Sequence, residues 1–172
     1  MSNKSKEVVI VNAIRTPIGT YKGSLKNMKS HALGSIVIKE VLSRSKFDKD
    51  EIDEVIMGQV LTTGAGQNPA RQAAINAGIP ISKPAHIINQ VCGSGLRAVI
   101  SGYQSIKLGE AKNIISGGQE NMSIAPHSIF YRDKKKISED KLLDTMINDG
   151  LIDAFNNYHM GVTAENVAKK FD

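Results

Sequence analysis

The chain has 172 residues, 41% of them apolar, and counting its 15 glycines raises that share to roughly 50%, the level of a packed globular domain; disorder is excluded as the main reading. Charged residues make up 23% with a formal net charge of +5, and the length suits one domain with part of another. No apolar run reaches the roughly 18 residues of a membrane span, and the run Val8 to Val11 is too short for a signal-peptide core, so a cytoplasmic protein without a membrane partner is expected.

Strand and helix periods alternate over the first 118 residues. Val8 to Val11 is a continuous apolar run of the kind a strand buried on both faces shows. Leu33, Ile36, Val37 and Val41 recur at helical spacing and predict a helix ending near Ser45. Glu54 to Met57 reads as the next strand. Asn68 before Pro69 supplies a cap and a first-turn proline, and Gly78 stands where that helix would stop. Its small residues Ala70, Ala73, Ala74 and Ala77 predict close approach to neighbours, hence an interior helix. His86 to Asn89 reads as a short strand, followed by an apolar helical stripe of Leu96, Val99, Ile100, Tyr103 and Ile106 that stops at Gly109. Asn113 to Ser116 is a fourth strand running into Gly117 and Gly118.

This alternation predicts an α/β layered domain with a mostly parallel sheet over residues 1–118. Residues 119–172 change character and read as an excursion from the sheet. They hold one helix on Leu142, Leu143, Met146 and Ile147 and another opened by Thr163, with Val167 and Phe171 on one face. The stretch Arg132 to Lys136 carries four positive charges and one negative. A short mixed-sign run with few aromatics reads as a solvated loop and not as a nucleic-acid face. It would still steer a small polyphosphate ligand toward the protein.

The single cysteine, Cys92, excludes an intramolecular disulfide. It stands between a strand and a helix in Asn89-Gln90-Val91-Cys92-Gly93-Ser94-Gly95-Leu96. A helix beginning near Gly93 places the thiol at the positive end of the helix dipole beside unpaired N–H groups, which favours the thiolate. The glycines flanking Ser94 let a substrate approach the backbone, and a free N–H there would face a developing oxyanion. The arrangement resembles a nucleophile elbow. The competing reading is a small hydrophobe in the core; the glycine context favours the reactive one. Gly93-Ser94-Gly95 lacks both the third glycine of a dinucleotide fingerprint and the Lys-Ser/Thr ending of a P-loop, so nucleotide-loop chemistry is not expected.

At these residues the sequence resembles the thiolases, most closely the biosynthetic acetyl-CoA C-acetyltransferases. The resemblance runs through Val11-Asn12-Ala13-Ile14-Arg15-Thr16-Pro17-Ile18-Gly19, Gly66-Gln67-Asn68-Pro69-Ala70-Arg71-Gln72-Ala73 and Val91-Cys92-Gly93-Ser94-Gly95-Leu96. It continues through Gly117-Gly118 with Glu120-Asn121-Met122-Ser123, then Tyr158-His159-Met160-Gly161 with Thr163-Ala164-Glu165-Asn166. Gln90 stands where a basic residue is common and Gln119 where methionine is usual.

The resemblance implies the N-terminal half of the αβαβα thiolase fold, lacking its final strand, with the start of the loop domain after residue 118. It implies that Cys92 takes the acetyl group of one acetyl-CoA, and that a second acetyl-CoA attacks it to give acetoacetyl-CoA and CoA. Leu151, His159 and Met160 match positions lining the pantetheine and acyl pocket. Coenzyme A thioesters enter as substrates, with no permanently bound cofactor and no metal. A homo-oligomer, dimer or tetramer, is expected of the family. His31, His86 and His127 match no catalytic position and are read as structural or surface residues.

Thiolases are about double this length. Their activating histidine lies in a Gly-His-Pro motif and their proton-moving cysteine near the C-terminus. The four histidines here follow Ser30, Ala85, Pro126 and Tyr158, and there is no second cysteine, so this chain by itself is expected to be nearly inactive in condensation. The alternatives are a longer-chain 3-ketoacyl-CoA thiolase, a ketoacyl synthase, which the Tyr158 to Gly161 match argues against, and a non-catalytic acyl-CoA-binding or assembly fragment.

Overall fold

The computed structural model describes residues 7–132 and 142–171. Of the charged stretch, Asp133 to Lys136 therefore lie outside the described residues. Two compact units divide the chain, Met1–Ile124 and Ala125–Asp172.

The first unit is built on a three-stranded parallel sheet of β1 (Glu54–Gly58), β2 (Ala85–Ile88) and β3 (Ile114–Gly118), in the order β2-β1-β3. Val55 pairs with Ala85 on one side and with Ile115 on the other. Around it lie α1 (Ser30–Ser45), α2 (Pro69–Asn76) and α3 (Ser94–Leu108). Side chains alternate across a strand. Val55, Met57 and Ile115 therefore share one face and pack with Ile38 of α1 and Ala70, Ala73 and Ala74 of α2. The opposite face meets α3 through its small residues: Ser94, Ala98 and Gly102 are buried. This is the α/β architecture with a parallel sheet that the alternating periods predict.

The alanines of α2 are fully buried, and Asn68 caps the helix by accepting the Arg71 N–H at 3.1 Å. At Gly34 a Cβ would lie 3.2 Å from the Ala73 Cβ and 1.9 Å from Gln119 Oε1. Only glycine lets α1 come this close to α2.

One strand expectation is corrected. Val8 to Val11 forms no strand, and Val9, Ile10 and Val11 are 66%, 78% and 60% exposed. A strand exists through a neighbour about 4.8 Å away to share its ladder, and this segment has none among the described residues. Residues 7–14 instead line a groove of about 710 Å³ together with residues of α1, α3 and β3. The apolar stripe of α3 is divided: Leu96, Ile100 and Tyr103 are exposed, whereas Val99 and Ile106 are half-buried. The sheet takes the small-residue face because glycines at the strand ends demand close approach.

In the second unit β4 (His127–Ser128) pairs antiparallel with β5 (Leu143–Asp144), and α4 (Thr145–Gly150) and α5 (Met160–Phe171) follow. Leu143 belongs to the strand and not to the helix expected there, because Asp144 caps α4 by accepting the Met146 and Ile147 N–H groups. The last helix opens at Met160, three residues ahead of Thr163.

Candidate active site

The carboxyl ends of the three strands meet under the start of α3. The Ile88 carbonyl at the end of β2 accepts the Gln59 N–H at 3.1 Å, and the Gly58 carbonyl at the end of β1 accepts the Gln119 N–H at 3.0 Å. A Cβ on Gly58 would stand 2.3 Å from the Ser94 carbonyl carbon and 2.5 Å from the Gly95 nitrogen, so β1 runs directly against the first turn of α3. Ligands of open α/β sheets gather at this end of the strands.

Cys92 occupies the turn between β2 and α3, two residues before the helix, and is exposed. Asn89, Gln90, Val91 and Gly93 beside it are exposed as well, so a thioester can reach the sulfur. Two backbone bonds close the turn, from Gly93 N–H to the Gln90 carbonyl and from Ser94 N–H to the Val91 carbonyl, both 3.0 Å. Of the two glycine N–H groups beside Ser94, that of Gly93 is therefore engaged. The next donors of the first turn, on Gly95 and Leu96, have no acceptor within the helix and remain oriented along its dipole. Val91 itself is left-handed, with φ of 48°, a conformation that β-branched residues avoid.

Leu151, His159 and Met160 come together in the second unit. Ile152 and His159 form an antiparallel bridge, and the Leu151 carbonyl accepts the Met160 N–H at 2.8 Å. His159 is exposed, and its Nδ1 accepts the Gly161 N–H at 2.9 Å. Met160 is also exposed and Leu151 half-buried. The Thr163 hydroxyl approaches the Met160 sulfur at 4.0 Å.

Residues 8–172 match the family "Thiolase, N-terminal domain". The chain belongs to the thiolase family. It is 54% identical to the acetyl-CoA acetyltransferase of Paracoccus denitrificans over 166 residues, covering 96% of this chain and 42% of that protein. It is 54% identical to the acetyl-CoA acetyltransferase of Rhizobium meliloti over 171 residues, covering 99% and 43%. With the cytosolic acetyl-CoA acetyltransferase of Rattus norvegicus the identity is 53% over 171 residues, again covering 99% and 43%. The chain thus spans rather less than half the length of the curated relatives it matches.

One departure from the thiolase pattern has a local explanation. Gln119, where methionine is usual, is buried, and its Nε2 donates to Gln59 Oε1 at 2.9 Å. Gln59, also buried, donates in turn to Ser30 Oγ at 3.0 Å and to the Leu61 carbonyl at 2.8 Å. The two amides form a polar rod from α1 to the end of β3. Gln119 Oε1 has no partner, so the rod is not fully satisfied. Beside it, Glu120 accepts the Val60 and Leu61 N–H groups at 2.9 and 3.1 Å; burial raises its pKa while these bonds oppose the rise.

Among the residues the motif reading did not single out, Ser94 and Gln59 brace this end of the thiolase sheet. A serine directly ahead of an apolar helical stripe is a cap-like signal, and it was the one sequence cue available. His31 sits in the first turn of α1 and His86 in β2, where its Nδ1 lies 2.9 Å from Glu54 Oε1. His127 lies in β4. No membrane-spanning helix occurs among the described residues.

Proposed function

We propose that this chain carries the acyl-accepting part of an acetyl-CoA acetyltransferase, with Cys92 as the acceptor. The observation that carries the reading is an exposed thiol on a closed turn, ahead of a helix N-terminus set over the carboxyl ends of a parallel sheet. The names of relatives at 52–54% identity supply the substrate class.

The Cys92 sulfur attacks the thioester carbonyl of acetyl-CoA. A tetrahedral oxyanion forms and collapses, the bond from carbonyl carbon to the CoA sulfur breaks, and CoA leaves as a thiolate that takes up a proton. Exchange of an acyl group between two sulfurs is nearly balanced, and the covalent intermediate divides one hard step into two. Unpaired first-turn N–H groups of α3 would stabilise the oxyanion. In the second step the methyl carbon of another acetyl-CoA loses a proton and attacks the acetyl group, releasing acetoacetyl-CoA and the Cys92 thiolate. Leu151, His159 and Met160 are assigned to binding the pantetheine arm and acyl group. CoA thioesters are substrates here and not resident cofactors; cytoplasmic location and homo-oligomeric assembly complete the reading.

The test is acylation of the chain itself. Incubation with acetyl-CoA should add one acetyl group, mapped by mass spectrometry to Cys92 and absent from Cys92→Ala. Iodoacetamide should alkylate Cys92 at pH 7 faster than it alkylates a free cysteine peptide. Equal or slower alkylation, or acetylation that survives in Cys92→Ala, would sink the assignment.

A further inference from the structure

Ser94 is only 4% exposed, although the four residues before it, Gln90 to Gly93, are all exposed. Its hydroxyl both accepts and donates a hydrogen bond. Oγ accepts the Gln90 N–H at 2.8 Å and donates to the Val91 carbonyl at 2.5 Å. It thereby ties the peptide group ahead of Gln90 to the one that follows Val91, spanning the two residues before Cys92. On the other side the Ser94 backbone is pressed against the end of β1 at Gly58. One residue therefore links the turn carrying Cys92, through its side chain, to the most deeply buried strand of the sheet, through its backbone.

The link is needed because of Val91. Its φ of 48° is unfavourable for a β-branched side chain and persists only where surroundings impose it. Two side chains impose it here: Asn89 Oδ1, which accepts the Val91 N–H at 2.9 Å, and Ser94 Oγ. Without the Ser94 hydroxyl the Val91 carbonyl keeps only the Ser94 N–H, which leaves this residue freer to return to an extended conformation and displace Cys92 from the start of α3.

We propose that Ser94 is a positioning residue for Cys92: its buried hydroxyl holds Val91 in the left-handed conformation that presents the sulfur at the start of α3. This rests on the reading of Cys92 as the acyl acceptor. Ser94 touches no substrate in this scheme and acts only through the turn.

The experiment measures the second-order rate of iodoacetamide alkylation of Cys92 at pH 7, with a free cysteine peptide alongside. Ser94→Ala should slow the reaction about fivefold, the scale of a lost helix-terminus interaction. Ser94→Thr keeps the hydroxyl and should stay within about twofold of the natural chain. Val91→Gly combined with Ser94→Ala should recover most of the rate, because glycine adopts the left-handed conformation without a lock. Ser35→Ala, which removes another buried hydroxyl, on α1, should leave the rate unchanged. The proposal is overturned if Ser94→Ala reacts like the natural chain, if Ser94→Thr is as slow as Ser94→Ala, or if the double variant recovers nothing. Should Ser94→Ala fail to fold by circular dichroism, the threonine and double variants decide it by the same criteria. A natural chain no faster than the peptide overturns the reading of Cys92 itself, whereas a fast natural chain with an indifferent Ser94→Ala overturns the positioning role alone.

Discussion

Two carboxylates at opposite ends of the sheet respond to pH with opposite sign. Asp53, just ahead of β1, accepts the Lys112 and Asn113 N–H groups at 2.7 and 3.1 Å through one oxygen. These bonds hold its pKa below the ordinary 3.8. A carboxyl with a lower pKa folded than unfolded contributes stability above the unfolded value and loses it as pH falls through the folded one. Asp53→Asn keeps an acceptor but removes the charge. It should cost about 1 kcal/mol at pH 7, and the difference from the natural chain should shrink as pH falls below 3.8. Urea unfolding at the two pH values checks this; an equal deficit at both would show that charge is not the cause. Glu120, beyond β3, runs the other way. Burial raises its pKa above 4.5, so its contribution is fullest below that value and declines as pH rises through the raised pKa of the folded state. The same scale contains what the residue order conceals. Cys92 stands out by its glycine neighbours, but the role of Ser94 depends on the left-handed Val91, which no local pattern announces.

At the scale of elements, what can be read depends on whether the signal is local. α2 is legible because its cap, its first-turn proline and its alanines lie within ten residues of each other. Asn68 does more than cap: its Nδ2 also donates to the Ala85 carbonyl at 2.8 Å, fixing the start of α2 to β2. Asn68→Ala should therefore lose about 1–2 kcal/mol, the upper range for an N-cap, while Asn68→Asp, which keeps the cap oxygen and loses the donor, should fall between. Chemical denaturation measures both, and a loss in Asn68→Asp equal to that in Asn68→Ala would assign the whole effect to the Ala85 bond. The segment Val8 to Val11 misleads because an apolar run states that burial is available, not which strand provides the ladder. The stripe of α3 misleads for a related reason. Hydrophobic periodicity marks the largest side chains, whereas the sheet at Gly58 and Gly118 accepts only the smallest. Thr163 resembles a cap and so predicts the helix start one turn late, whereas the bridge between Ile152 and His159 closes the chain just ahead of Met160.

For the whole molecule, the acyl-transfer and condensation halves of the proposed reaction make unequal demands on the residues present. Acetylation needs a nucleophilic sulfur and donors for an oxyanion, and the first unit supplies Cys92 and the start of α3. Condensation further needs a base for a weakly acidic methyl group and an acid for the departing sulfur. Each positioned acid or base is worth about 10²–10⁴-fold in rate, and this sequence holds neither a Gly-His-Pro motif nor a second cysteine. The two steps should therefore separate. The 172-residue chain should become acetylated on Cys92 by acetyl-CoA yet form no measurable acetoacetyl-CoA, followed by its absorbance as the magnesium enolate. Acetoacetyl-CoA formation that disappears in Cys92→Ala would show that residues within this chain complete the acid and base work.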